Sequence, residues 1–267
     1  EGASRLLNEG AHAIIGAVIG FGVVAHGFGS VQWVKLLRIG ASWFVSPVAG
    51  ALLGFLIYSL VRRTVLASRR PIQSAKRALP AGAAAVALIL IYSVIGELKL
   101  ERLAHRLPFG APWTAWALAA SVLGAAAAAW LAWRLTRRRV YSVSDMAGEF
   151  RVVERWFGRL QVMTACYMSF AHGANDVANA IGPVAGILSA LRNTLTAQAA
   201  VPAWVLAFGG IGIVVGLASY GRKVMEAVGR KITEVTPTRG FSAEFGTATT
   251  VLVCSRMGLP ISTTFVL

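Results

Sequence analysis

Long apolar stretches alternate along the chain with short clusters of charge. Arg38 and Arg62 bracket 23 uncharged residues, and Arg106 and Arg134 bracket 27. About 20 apolar residues span a ~30 Å hydrocarbon core, so runs of this length predict membrane-crossing helices, not the amphipathic helices or alternating strands of a soluble domain. The pattern predicts crossings over Gly10–Val34, Ile39–Val61 with a kink at Pro47, Leu79–Gly96, Trp113–Trp133, Leu160–Leu191 and Val201–Tyr220. A last apolar stretch, Gly240–Leu267, is interrupted by Glu244, Arg256 and Pro260. Trp113, Trp116, Trp130 and Trp133 fall near the two ends of one crossing, where an aromatic belt belongs. Ser142–Arg159 instead mixes Glu149, Arg151, Glu154 and Arg155 with Val152, Val153, Trp156 and Phe157. It reads as an amphipathic helix capped by Ser144 or Asp145.

These elements predict an all-α fold, a polytopic transmembrane helical bundle. The expected organisation is a first membrane half over residues 1–135, a basic amphipathic linker over 136–159 and a second membrane half over 160–267. The chain starts at Glu1 without an initiator Met or signal peptide and stops in mid-pattern at Leu267, so it is expected to be part of a longer polypeptide.

Composition agrees: 56% of the 267 residues are hydrophobic and only 14% are charged. The 26 Lys and Arg against 11 Asp and Glu give a net charge of +15. In a soluble chain that surplus would suggest nucleic acid, but no nucleic-acid motif accompanies it. Most of the basic residues collect in Arg62–Arg77, Arg134–Arg159 and Arg222–Arg239, each beside an apolar run. This is the positive-inside pattern, which places these loops in the cytoplasm and the chain as a multi-pass protein of the cell membrane. Cys166 and Cys254 sit in apolar segments with no metal-ligand spacing. Neither an HExxH nor a plausible GxSxG elbow is present, and an enzyme is not expected.

Of the acidic residues, only Asp176 and Glu244 lie in apolar runs beside polar clusters. An ionised carboxylate at mid-membrane costs at least a few kcal/mol unless it is paired or coordinating. The segment SFAHGANDVANAIGPVAGIL (Ser169–Leu188) brings His172, Asn175, Asp176 and Asn179 into one crossing. On a helix, His172, Asp176 and Asn179 share a face. Gly173, Gly182 and Pro183 should weaken the helix and expose backbone groups to a ligand. The alternative is an interhelical polar clasp. In GFSAEFGTATTVLVCSRMGLPISTTF (Gly240–Phe265), a helix starting after Pro260 would present Ser262, Thr263 and Thr264 at its positive end. That outlines an oxyanion site or an ordinary N-cap. Asp176, Asn175, Asn179 and Glu244 are acceptors for a hard cation, and the hydroxyls are donors for an oxyanion. Both kinds of site on broken helices describe an ion-coupled symporter.

The string GANDVANAIGP, followed by GFSAEFGTATTVLVCSRMGLPISTT, resembles the inorganic phosphate transporter family of sodium- or proton-coupled phosphate permeases. The likeness is specific across residues 160–267 and softer over 10–135, where HAIIGAVIGFG and SWFVSPVAG carry it. It implies two inverted halves around one central site. Asn175, Asp176, Ser262, Thr263 and Thr264 would bind phosphate, and Asp176, Asn179, Asn175 and Glu244 would hold Na+ (or H+ would serve) as coupling ion. No other cofactor is implied. The implied partners are phosphate, Na+ and the lipid bilayer, with a homodimer allowed and nucleic acid excluded. The sequence departs from the family in lacking a first GAND element and in having Phe265 where the family commonly has His. Half of the binding site is therefore expected to lie outside this chain. Sulfate is the nearest rival substrate.

Overall fold

The structure, a computed structural model, describes residues 10–97, 112–137, 145–191, 201–231, 235–259, 261 and 266. Among the described residues all regular structure is helical. Helix α1 (Gly10–His26) is followed by a 3-10 turn at Phe28–Ser30 and by α2 (Trp33–Val61), which runs on through a π-helical turn at Arg62–Leu66. Then come α3 (Pro71–Glu97), α4 (Trp113–Arg137), α5 (Met146–Leu191), α6 (Ala203–Lys231) and α7 (Pro237–Arg256). Among the described residues, four stretches are long and apolar enough to cross a membrane: Trp33–Leu66, Pro71–Gly96, Trp113–Arg137 and Ala203–Lys223. Proline heads α3 and α7, where its fixed φ suits a first helical turn and its missing N–H costs nothing.

Helix α3 starts at Pro71, ahead of the predicted Leu79, α6 runs to Lys231, past the predicted Tyr220, and two larger differences from the hydrophobic pattern have local causes. The predicted crossing Gly10–Val34 stops at His26, because Gly27 takes φ +79°, a conformation that leaves the helix and favours glycine. Ser30 locks the turn, its hydroxyl donating to the Gly27 carbonyl at 2.7 Å, while the Trp33 indole donates to the Phe28 carbonyl at 3.1 Å. Phe28 also stacks on Trp33, with ring centroids 6.4 Å apart. Consequently α2 begins at Trp33, ahead of the expected Ile39. The second difference is α5, a single helix of 46 residues that joins the amphipathic stretch to the GAND segment. It stays helical through Gly173, Gly182 and Pro183, where weakening was expected. Asp145 does act as its cap, accepting from the Gly148 N–H at 3.3 Å.

The chain forms two compact units, and the division falls inside α2, α5 and α7. One unit comprises 1–53, 168–235 and 246–267, and the other 54–167 and 236–245.

In the second unit, the start of α5 is the scaffold. Val152, Val153, Trp156 and Phe157 are buried, whereas Arg151 and Arg155 are exposed. Its two acids cap other helices: Glu149 accepts from the Ile72 N–H at the start of α3 (3.4 Å), and Glu154 accepts from the Thr238 N–H (2.9 Å) and hydroxyl (2.8 Å) at the start of α7. A carboxylate at a helix N-terminus satisfies orphan amides and meets the positive end of the dipole. Phe157, Phe241, Phe245 and Tyr167 then form an aromatic ladder between α5 and α7, with centroids 5.7 to 6.1 Å apart. Gly82 on α3 leaves room for Leu160 and Phe241, and Gly124 on α4 leaves room for Ile91.

In the first unit, Gly209 on α6 accommodates the Ile181 side chain of α5. The end of α7 is closed by backbone: Leu259 N–H donates to Cys254 carbonyl and Gly258 N–H to Ser255 carbonyl, each at 3.0 Å, with Gly258 at φ +69°. This is a Schellman motif, with glycine where L side chains are strained and Pro260 following in the sequence.

Candidate functional site

In the first unit, the helical period of α5 sets His172, Asn175 and Asp176 close together. His172 Nε2 lies 2.6 Å from Asp176 Oδ2, as an i, i+4 pair should. Asp176 Oδ1 accepts from Asn175 Nδ2 at 3.4 Å. The His172 and Asp176 side chains remain 44% and 40% exposed, so the carboxylate is oriented but still has an open side.

Asn175 stands apart because it is 94% buried, with only 6% of its surface exposed. Its amide N–H groups reach the Ile261 carbonyl (3.3 Å) as well as Asp176, and its carbonyl oxygen accepts from the Ser255 hydroxyl (3.2 Å). Most of its hydrogen-bonding capacity is thus spent tying α5 to the end of α7 and the residues after it. This geometry orients Asp176 and leaves Asn175 little capacity for a ligand. Nearby, Thr247 donates to the Val266 carbonyl at 3.1 Å, a second tie between α7 and the residues after it.

Pro183 adds a backbone feature. Having no N–H, it cannot bond the carbonyl four residues earlier, so the Asn179 carbonyl receives no helical amide from that position. A main-chain oxygen therefore lies one turn beyond Asp176 along α5 without that amide. The Asn179 side chain falls outside the described residues, as do Ser262, Thr263, Thr264 and Pro260.

Glu244 belongs to the second unit. One carboxylate oxygen accepts from Gln161 Nε2 at 3.2 Å and the other from Thr164 Oγ1 at 2.6 Å. Thr164 is fully buried. Gly240, one turn before Glu244, makes this possible: a Cβ there would collide with the Gln161 amide. Gln161 and Thr164 escaped the sequence reading. The available signal was an i, i+3 pair of polar residues in the apolar start of LQVMTACYM. Among the described residues, no three His, Cys, Asp or Glu side chains cluster as a metal site. A cation here would rely on one carboxylate and on neutral oxygens.

Comparison with known proteins agrees with the motifs. The pattern of the phosphate transporter family matches residues 10–267. A Pyrococcus furiosus protein named "Putative phosphate permease PF1020" is 40% identical over 254 residues, covering 95% of this chain and 58% of that protein. The Arabidopsis thaliana protein "Inorganic phosphate transporter 2-1, chloroplastic" is 41% identical over 283 residues, covering 96% of this chain and 46% of that protein. A solved structure described as "The sodium-dependent phosphate transporter" superposes with a TM-score of 0.81 at 37% identity, over 97% of this chain and 61% of that one. The chain thus spans about 58–60% of the length of the archaeal relatives it matches.

Proposed function

Because the chain belongs to the phosphate transporter family, we propose that it forms part of a secondary active transporter that imports inorganic phosphate by symport with Na+. The observation that carries this reading is Asp176, a carboxylate in a stretch of α5 with no other Asp, Glu, Lys or Arg from Leu160 to Leu191, oriented by His172 and Asn175 yet open on one side. An intramembrane acid with that geometry suits a coupling cation. In this reading Asp176 binds Na+, with the Asn179 carbonyl and side chain as further oxygen ligands, and Asn175 holds Asp176 in place. Ser262, Thr263 and Thr264 donate hydrogen bonds to phosphate oxygens, and Glu244 with its Gln161 and Thr164 donors balances charge. The two inverted halves exchange access to the site, the other half-site coming from residues beyond this chain. The basic loops face the cytoplasm, and the protein does no covalent chemistry on its substrate.

Uptake of labelled phosphate by proteoliposomes of the full-length protein tests this. An inward Na+ gradient should drive accumulation, and Asp176→Asn should lower it at least about tenfold, the equivalent of ~1.4 kcal/mol of lost cation binding. Uptake indifferent to Na+ would sink the symport, and an unaffected Asp176→Asn variant would sink the site. Excess sulfate should compete poorly, since phosphate retains a proton to donate to an acceptor and sulfate does not.

The 2.6 Å contact between His172 and Asp176 favours one second reading, coupling to H+. Imidazole titrates near physiological pH. Accumulation driven by a pH gradient without Na+, and lost in His172→Gln, would select it.

A further inference from the structure

Where α3 begins and α4 ends, the second unit carries a cleft of about 520 Å³ lined by Gln73, Lys76, Arg77, Trp133 and Arg137, with Pro80 at its deeper side. Three of these residues are cations, and none of the described lining residues is acidic. Two indoles hold the neighbouring guanidinium groups: Arg137 lies 4.7 Å from the Trp133 ring centroid, and Arg134 lies 5.1 Å from that of Trp130. Cation–π stacking fixes these groups at the helix end, where Trp and Arg mark headgroup depth in a bilayer.

A second pocket lies deeper along the same helices, between α3, α4 and α5. Leu79, Ala83, Leu131, Ala132, Leu160 and Met163 supply its apolar wall, and Trp156 and Arg159 of α5 also line it. Thr136 lines both spaces. Its hydroxyl is turned back onto its own helix, donating to the Ala132 carbonyl at 2.8 Å, so it presents no unmet polar demand at the junction. A cationic, aromatic mouth therefore meets an apolar slot.

We propose that this pair of cavities binds one anionic glycerophospholipid, its phosphodiester among Lys76, Arg77 and Arg137 and an acyl chain in the apolar slot. A free phosphate ion would use the cationic cleft and leave the slot unexplained, whereas a zwitterionic lipid would bring its own cation into a cleft that already holds three. Basic pockets between transmembrane helices suit anionic headgroups, each cation contributing about 1 kcal/mol. The inference rests on the membrane setting of α3 and α4 and not on the phosphate or Na+ assignments.

The test uses the full-length protein in detergent, with lipids retained in native mass spectrometry and the thermal unfolding midpoint as readouts. Phosphatidylglycerol should be retained and should raise the midpoint, and phosphatidylcholine should do neither. Arg77→Gln and Arg137→Gln, both at exposed positions, should each weaken phosphatidylglycerol retention about fivefold. Ala132→Phe, which narrows the slot without changing charge, should weaken it too. Arg222→Gln with Lys223→Gln, on α6, should leave it unchanged. Equal retention of both lipids, an equal loss from the α6 variant, or displacement of phosphatidylglycerol by inorganic phosphate would overturn the proposal. So would full retention by Arg77→Gln and Arg137→Gln.

Discussion

Two carboxylates, each the lone acid of an otherwise uncharged helical stretch, meet the same demand for donors in different ways. Glu244 has a donor on each oxygen, Gln161 and Thr164, and is half-buried, whereas Asp176 has one amide and one imidazole and an open side. Substitutions around Glu244 should therefore register first in stability. Thr164→Val leaves a carboxylate oxygen short of its donor, and losses of this kind cost about 1–3 kcal/mol. Its unfolding midpoint in detergent should fall, and an unchanged midpoint would refute the role assigned to the hydroxyl. Gly240→Ala should destabilise by a similar amount, because its Cβ would displace the Gln161 amide. Adding Gln161→Ala should recover part of that loss, since the collision disappears with the amide. If the double variant is simply the sum of the two single losses, the steric account fails. Both acids were legible in the sequence because a charge in an apolar run stands out. Their partners were not, because Gln161, Thr164 and Ser255 are ordinary polar residues until the fold places them.

Helices are set by apolar length, and that is why most of them could be read from the pattern. Their ends depend on single residues that hydrophobicity does not weigh, such as Gly27 at positive φ, which divides the predicted first crossing. Continuity is equally hidden. The amphipathic stretch and the GAND segment differ in composition, yet they form one helix whose buried face runs on from Val152 and Trp156 through Thr164 and Tyr167 to Ala171, Asn175 and Ala185, while the make-up of the other face changes. The caps give two measurable consequences. Gly258→Ala places a Cβ at φ +69° and should cost about 1 kcal/mol. Glu154→Ala strips the Thr238 N–H and hydroxyl of their acceptor and should cost about 1–2 kcal/mol. Chemical unfolding in a fixed detergent reads both, and a Glu154→Ala variant as stable as the native protein would show that the cap contributes nothing. Pro183→Ala should act oppositely on structure and function. It supplies the amide missing at the Asn179 carbonyl, strengthening α5 while raising the Na+ concentration needed for half-maximal uptake. An unaltered Na+ dependence would remove that carbonyl from the proposed cation site.

At the scale of the whole chain, the net charge of +15 has meaning only through its placement. The clusters at Arg62–Arg77, Arg134–Arg159 and Arg222–Arg239 are separated by even numbers of predicted crossings: α3 and α4 between the first two, then the apolar part of α5 and α6 between the second and third. Even separation returns the chain to the same side each time, as the positive-inside rule requires. This parity requires the apolar part of α5 to cross once, although its Asn, Asp and His residues make it more polar than the four described stretches of highest hydropathy. Single cysteines can decide this in the full-length protein after Cys166 and Cys254 are replaced by Ala. With an impermeant maleimide applied outside intact cells, Pro112→Cys at the start of α4 should label, and Ser68→Cys and Lys223→Cys should label only after permeabilisation. If Ser68→Cys and Lys223→Cys respond on opposite sides, α5 does not span the bilayer once. Asp176 would then lose the membrane setting that makes an open carboxylate a candidate cation ligand.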